Sequence, residues 1–284
     1  MRCDTCFRHC DIPEGGRGFC GARTVRDGRV VPENYGRITS MALDPIEKKP
    51  LARFFPGSYI LSVGSYGCNL RCPFCQNDSI SYGPDVRYAA EEAVTLSPEQ
   101  LADKARALAD ERPGNLGLAF TYNEPLIGWE FVRDTARLTH EQSLKNVLVT
   151  NGTAELSVLR ELLPYIHAMN VDLKCFTDEG YTKVLGGDRA MTMAFIEEAF
   201  SYGCHVEVTT LVVPGLNDTE EEILAIAEWL AGLDHGRGRD IPLHLSRFFP
   251  RFRMTDRPAT DVAMIYRFAD LAGRVLDHVY TGNC

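Results

Sequence analysis

The sequence predicts an α/β fold, a partial, open (β/α)6 barrel with a small irregular Cys-rich N-terminal extension. Three observations carry this. Short apolar runs alternate six times with helical patterns after residue 59, the rhythm of parallel βαβ units. Five of these runs end in polar residues, at the strand ends where parallel α/β folds place their chemistry. Before residue 59 there is little apolar periodicity, but there are four cysteines and several glycines. The boundaries drawn are 1–58 for the extension and 59–284 for the barrel. A closed eightfold barrel would need more strand–helix pairs than the chain contains.

In the extension, Cys3-x2-Cys6-x3-Cys10-x9-Cys20 runs among Gly15, Gly16, Gly18 and Gly21. A stretch with so little to bury suggests a metal as organiser. Four cysteines suit zinc or an Fe–S cluster, and the spacing does not choose between them. A loop of unliganded cysteines is the plain alternative. Asp27-Gly28 signals a hairpin. Ile46-Glu47-Lys48-Lys49-Pro50 reads as polar, with its paired lysines solvated.

The first barrel strand is Tyr59–Gly64. Ser97-Pro98-Glu99 caps a helix through Leu101, Ala105 and Leu108. The second strand is Leu116–Tyr122, followed by a helix through Trp129, Val132 and Ala136. The third is Asn146–Thr150, with a helix around Leu156–Leu163. The fourth is Ala168–Leu173, with a helix near 190–202. The fifth runs through Val206, Val208 and Leu211. Thr219 then opens a helix whose first turn, Glu220-Glu221-Glu222, suits the helix dipole. The sixth is Ile241–Leu245, followed by a helix through Val262, Ile265 and Phe268. His278-Val279-Tyr280 reads as a short closing strand.

The first strand runs into Ser65-Tyr66-Gly67-Cys68-Asn69-Leu70-Arg71-Cys72-Pro73-Phe74-Cys75-Gln76-Asn77. Three thiolates spaced C-x3-C-x2-C can converge through a tight loop, and Gly67 and Pro73 suit one. Thiolates are the usual ligands of Fe–S clusters and zinc. Three of them leave one iron of a [4Fe–4S] cluster open. A zinc knuckle or a disulfide-bearing loop is the alternative.

The 284 residues are 45% hydrophobic and 24% charged, with a formal net charge of −9. That sign argues against non-specific nucleic-acid binding. No apolar run approaches the roughly 18 residues of a membrane-spanning helix. The N-terminus shows no signal region. A cytoplasmic location is expected, where cysteines serve as metal ligands more often than as disulfides. Cys175, Cys204 and Cys284 read as individual thiols.

The C-x3-C-x2-C spacing, with an aromatic before its last cysteine, resembles the radical S-adenosylmethionine (radical SAM) enzymes. The resemblance implies a [4Fe–4S] cluster on Cys68, Cys72 and Cys75. It also implies S-adenosylmethionine chelating the open iron, and its reductive cleavage to a 5′-deoxyadenosyl radical. Residues 59–250 further resemble the glycyl-radical-enzyme activases, typified by pyruvate formate-lyase activating enzyme. The shared motifs are C-N-x-R-C-x-x-C-x-N at Cys68 to Asn77, T-N-G at Thr150 to Gly152, D-L-K at Asp172 to Lys174 and V-V-P-G-x-N-D at Val212 to Asp218. The activases' G-G-E-P element stands here as Tyr122-Asn123-Glu124-Pro125, with both glycines replaced. Cys3 to Cys20, Tyr35-Gly36-Arg37, Asp44 to Leu51 and Phe55 to Ser58 look like the radical SAM member of the AmmeMemoRadiSam system.

By this resemblance Asn123 and Glu124 meet the methionine amino end, and Asn151, Asp172 and Lys174 meet the ribose or carboxylate. His244 flanks the adenosyl group and Phe74 lies near adenine. No protein residue is assigned a catalytic step. An electron donor such as flavodoxin or ferredoxin is implied, and a protein substrate is one option beside a small molecule. Arg247, Arg251, Arg253 and Arg257, with Phe248, Phe249 and Phe252, are expected to frame the barrel mouth. Two other readings stand beside this one: an Fe–S electron-transfer protein without chemistry of its own, and a zinc-organised binding module.

Overall fold

The computed structural model describes residues 1–284. The N-terminal part holds the hairpin β1 (Arg23–Arg26) and β2 (Arg29–Pro32), then β3 (Arg37–Ile38) and β4 (Ser40–Pro45). The barrel begins with β5 (Tyr59–Gly64), followed by α1 (Asp78–Ser81), α2 (Val86–Glu92), β6 (Val94–Thr95) and α3 (Pro98–Ala109). Four strand–helix pairs follow: β7 (Gly117–Phe120) and α4 (Trp129–Glu141), β8 (Lys145–Thr150) and α5 (Leu156–Leu162), β9 (Ala168–Asp172) and α6 (Arg189–Tyr202), β10 (His205–Val212) and α7 (Glu220–Gly236). β11 (Leu243–Arg247), α8 (Val262–Ala272) and β12 (Val279–Gly282) complete the chain.

The main sheet has the order β12-β11-β10-β9-β8-β7-β5-β4. All neighbours from β5 to β12 are parallel, and β4 lies antiparallel on β5. β4 and β12 are free edges, so the barrel is open, as the sequence predicted. The inner strands are buried on both faces; all four residues of β7 are buried. Strands covered on both sides read as continuous apolar runs, which is why their pattern was legible. The predicted cap of α3 forms as a capping box between Ser97 and Gln100.

Two expectations are corrected. Residues 40–45, assigned to the extension, are the edge strand of the main sheet. The extension also has a small core of its own: Cys3, Ile12 and Val25 pack together, with Cys10 and Val30 against them. It is further tied down by Arg23, whose guanidinium pairs with Glu130 of α4 at 2.7 Å.

The segment between β4 and β5 fills the lower end of the barrel. Ile46, Leu51 and Phe54 pack against Ile60, Ala119, Val147 and Ala168, residues of four successive strands. This plug has buried polar anchors. The Glu207 carboxylate on β10 accepts hydrogen bonds from Ala52 N at 2.9 Å and Arg53 N at 2.8 Å. It also meets His205 Nε2 at 2.9 Å and His244 Nε2 at 2.6 Å. Asn170 donates to Pro50 O at 2.8 Å. Lys49, expected in solvent, is only 3% exposed. Its Nζ lies 2.9 Å from Asp44, which also accepts from the Tyr122 hydroxyl at 2.8 Å. A lysine drawn inside needs such a partner.

Burial alone would raise the Glu207 carboxyl, but the two histidines and two backbone N–H groups outweigh it and hold it at about 2. A carboxylate depressed by folding stabilises above its unfolded value and loses that contribution as pH falls through the folded one. Glu207→Gln should therefore cost about 3 kcal/mol at neutral pH. The gap to wild type should close on acidification from about 4.5 toward about 2. Urea unfolding across that pH series reads the effect. A gap that stays constant would show that Glu207 acts by shape rather than by charge.

Candidate active site at the barrel mouth

The three central cysteines sit on a loop without strand or helix, so side chains must hold it. Gly67 is in the left-handed region at φ +93, and a Cβ there would come within 2.7 Å of Cys20 O. Cys68 N donates to that same carbonyl. Arg71 Nη1 donates back to Cys68 O at 2.8 Å and Leu70 O at 2.7 Å. Asn69 donates to Thr153 O at 3.1 Å and accepts from Asn151 at 2.9 Å. Asn123 accepts from Ser65 N at 3.0 Å and donates to Gly67 O at 3.1 Å.

Below the loop is a cavity of about 840 Å³. Every residue expected at the centre lines it: Cys68, Cys72, Phe74 and Cys75 from the loop, Asn123 and Glu124 after β7, Asn151 after β8, Asp172 and Lys174 after β9, and His244 on β11. The register agrees, since Asp172, Thr209 and His244 are at one level across β9, β10 and β11. His244 stacks on Tyr280 with ring centroids 5.2 Å apart. The volume suits a ligand of cofactor size.

The amide side chains of Asn123 and Asn151 are spent on the loop. Asn151 Oδ1 accepts from Thr153 N at 2.9 Å, and its Nδ2 faces Asn69. Both position the loop, and both line the cavity.

Glu124 differs. It is 3% exposed. It accepts from Thr150 Oγ1 at 2.7 Å, Asn151 N at 2.8 Å and Leu126 N at 3.0 Å. No lysine, arginine or histidine pairs with it. Burial pushes its carboxyl up to about 7 despite these bonds. A buried carboxylate that lacks a cation favours one arriving with a ligand. Lys174 Nζ is 2.8 Å from Asp172. Burial would lower the lysine, but Asp172 and nearby Cys72 carry it upward. Burial also raises all three thiols, Cys72 to about 12. Such thiols give up their protons to a metal far more readily than to water.

Sequence reasoning missed several contributors. Tyr122 takes φ +72, a conformation that favours glycine, at the place where the G-G-E-P element has its first glycine. Lys48, Lys49 and Pro50 floor the cavity and Tyr280 to Asn283 wall its open side; the Asp44 to Leu51 motif was the signal for the floor. Asn217 of the V-V-P-G-x-N-D motif donates to Lys174 O at 2.8 Å and so fixes the D-L-K turn. The expected framing of the mouth is corrected. Arg247, Arg251, Arg253 and Arg257 with Phe248, Phe249 and Phe252 do not line the cavity. They run on from Arg247 at the end of β11, and Arg253 N donates to Pro73 O of the cysteine loop at 2.9 Å.

Residues 62–230 match the Radical SAM superfamily. The chain belongs to the radical SAM superfamily. Membership brings the superfamily's cofactors, a [4Fe–4S] cluster and S-adenosylmethionine. An uncharacterized protein of Methanocaldococcus jannaschii is 37% identical over 284 residues, which is 100% of this chain and 81% of that protein. The pyruvate formate-lyase-activating enzyme of Clostridium pasteurianum is 28% identical over 163 residues, 57% of this chain and 65% of that enzyme. Among solved structures, Streptococcus suis SuiB bound to S-adenosylmethionine superposes with a TM-score of 0.59 at 14% identity, over 77% of this chain and 48% of that one. A domain of pyruvate-formate lyase-activating enzyme from Bacteroides vulgatus gives 0.50 at 17% identity, over 59% of this chain and 99% of that one. Both share the radical SAM fold.

The donor set fits these cofactors. Three thiols on one loop supply one thiolate to each of three irons, and they line a cavity with room for a ligand beside them. In the extension, Cys6 and Cys20 lie close enough to Cys3 for its charge to raise both thiols. Cys3 and Cys10 share the extension's small core, Cys20 packs with Ala22, Tyr66 and Ile127, and Cys6 bridges to Ala154 beside the T-N-G turn.

Proposed function

We propose that this chain binds a [4Fe–4S] cluster through Cys68, Cys72 and Cys75 and uses it to cleave S-adenosylmethionine reductively. The radical so formed would abstract hydrogen from a substrate, in the manner of an activase working on a glycyl radical enzyme. One observation carries the reading: three thiols, one buried and two half-buried, and the polar ends of four strands line the same cavity. Similarity to activating enzymes supports the activase-like substrate, over the 65% of their length that is matched.

When bound, the cluster supplies one electron to the sulfonium, and a carbon–sulfur bond breaks to leave methionine and a 5′-deoxyadenosyl radical. The chain's residues bind, orient and insulate. Glu124 is the acceptor for the methionine ammonium. Lys174, held by Asp172, offers a cation to the carboxylate, and Asp172 faces the ribose. His244, fixed by Glu207, and Phe74 flank the adenosine. The plug closes the lower end of the barrel, so substrate enters at the mouth.

Anaerobic reconstitution with reductant should yield 5′-deoxyadenosine from S-adenosylmethionine, and Cys72→Ala should abolish both that product and the cluster's absorbance. Retained cleavage in the variant would sink the assignment. Glu124→Gln should keep the iron and bind S-adenosylmethionine about 2 kcal/mol more weakly, the cost of replacing a charged hydrogen-bond acceptor. Equilibrium dialysis at pH 8 measures it; unchanged affinity would remove Glu124 from the cofactor site.

A second metal site on Cys3, Cys6, Cys10 and Cys20, holding zinc or an Fe–S cluster, is part of the same proposal. Burial raises Cys6, to about 11, and Cys20. Arg8 links the segment to the cysteine loop by donating to Asn69 O at 3.1 Å. A Cys6→Ser, Cys10→Ser variant should lose this metal, zinc or iron, while the Cys68 cluster still reconstitutes and cleaves. Metal content equal to wild type would leave these cysteines as ordinary thiols.

A further inference from the structure

The stretch from the end of β11 carries four arginines and three phenylalanines; Phe248 is buried in the main core, and the exposed members of the set are not used by the cavity. Arg257 is paired with Asp256 at 3.0 Å and Arg247 donates to Thr260 O at 2.7 Å. Arg251 and Arg253 are exposed and have no carboxylate partner. Phe249 is 46% exposed. Arginine stacks on aromatic rings twice here, Arg247 over Phe249 at 4.7 Å and Arg253 over Phe252 at 4.9 Å. The turn is built rather than loose: Arg251 and Met254 exchange both backbone hydrogen bonds, at 3.2 and 3.0 Å.

This patch touches the cluster loop at Pro73 and, through Tyr82, at Cys72. Arg253 N donates to Pro73 O, between two of the cysteines. The Phe252 ring meets the Tyr82 ring edge-on at 5.5 Å, and the Tyr82 hydroxyl donates to Cys72 O. The patch thus adjoins the metal-binding loop without entering the cavity. A substrate must reach the cavity, whereas an electron donor must reach only the cluster.

We propose that the Arg247–Arg257 loop is the docking surface for a small acidic protein that carries one electron on a flavin or an iron–sulfur group. The inference rests on the proposed function. In each transfer the carrier loses one electron and the cluster gains one, with no atom exchanged. Charge selects the partner. The chain as a whole has a net charge of −9, so an acidic protein is repelled over most of the surface and drawn to this basic patch. Exposed arginine and phenylalanine supply the contact residues that interfaces favour.

The test uses the reconstituted enzyme and two electron sources, dithionite and a photoreduced acidic flavodoxin. Arg251→Glu with Arg253→Glu should leave dithionite-driven 5′-deoxyadenosine formation at the wild-type rate. Flavodoxin-driven cluster reduction should slow about tenfold or more and lose its dependence on ionic strength. Phe249→Ala should slow the flavodoxin arm alone, without removing charge. Equal flavodoxin rates in wild type and variants overturn the docking surface. So does RNA binding that the charge reversals abolish while flavodoxin reduction is unaffected. Absence of 5′-deoxyadenosine from wild type with dithionite would instead strike the proposed function, so the two failures are separable.

Discussion

A loop that carries three metal ligands cannot hold itself, and the rest of this structure answers that constraint. Between Gly64 and Asn77 there is no ladder of backbone hydrogen bonds. The loop is pinned instead by Asn69, Asn123 and Asn151, each offering a donor and an acceptor to neighbouring turns. An amide side chain can replace a missing ladder rung because it carries both groups of a peptide. Those three come from three segments, so the cluster loop, the turn after β7 and the turn after β8 form one unit. Arg8 and Arg71 complete it from the extension's side, holding the Phe19 ring between them at 3.5 and 3.8 Å.

The barrel interior holds two buried glutamates whose environments drive them in opposite directions. Glu207 meets two histidines and two backbone N–H groups and stays ionised down to about 2. Glu124 meets three neutral donors and no cation and is pushed up to about 7. Desolvation opposes the charge in both, and partners decide the outcome. The matched charge locks the floor and orients His244. The unmatched one faces the cavity, so charge balance is completed there by whatever binds.

Much of this was legible in the sequence. Strands buried on both faces show as apolar runs, and polar strand ends mark one rim, so Cys68, Glu124, Asp172 and His244 were placed together correctly. Long-range partnerships were not legible. Glu207 looks like any polar residue between Val206 and Val208; only the return of the plug beneath it gives it work. Lys49 reads as a surface lysine until Asp44 and Tyr122 close around it. The arginine loop followed the right strand end, but whether a loop turns over a cavity or away from it depends on contacts such as that with Pro73, which no local pattern encodes. The extension's glycines concealed a small core because its members, Cys3, Ile12 and Val25, are far apart in sequence.

The two faces of the cysteine loop have incompatible demands. Radical chemistry needs a closed, dry chamber, because a radical that meets a stray hydrogen donor is lost. The proposed electron delivery from a separate molecule needs an open face. A single opening serving both would expose the chamber at each turnover. Here the cavity is floored by the plug and walled by the strand ends, with Tyr82 in its lining, while Phe252 packs on Tyr82 without lining the cavity. Electrons can cross a few packed side chains, whereas substrates and solvent cannot. The thinness of a loop without secondary structure, which makes it costly to hold, is what lets both faces reach the same cysteines.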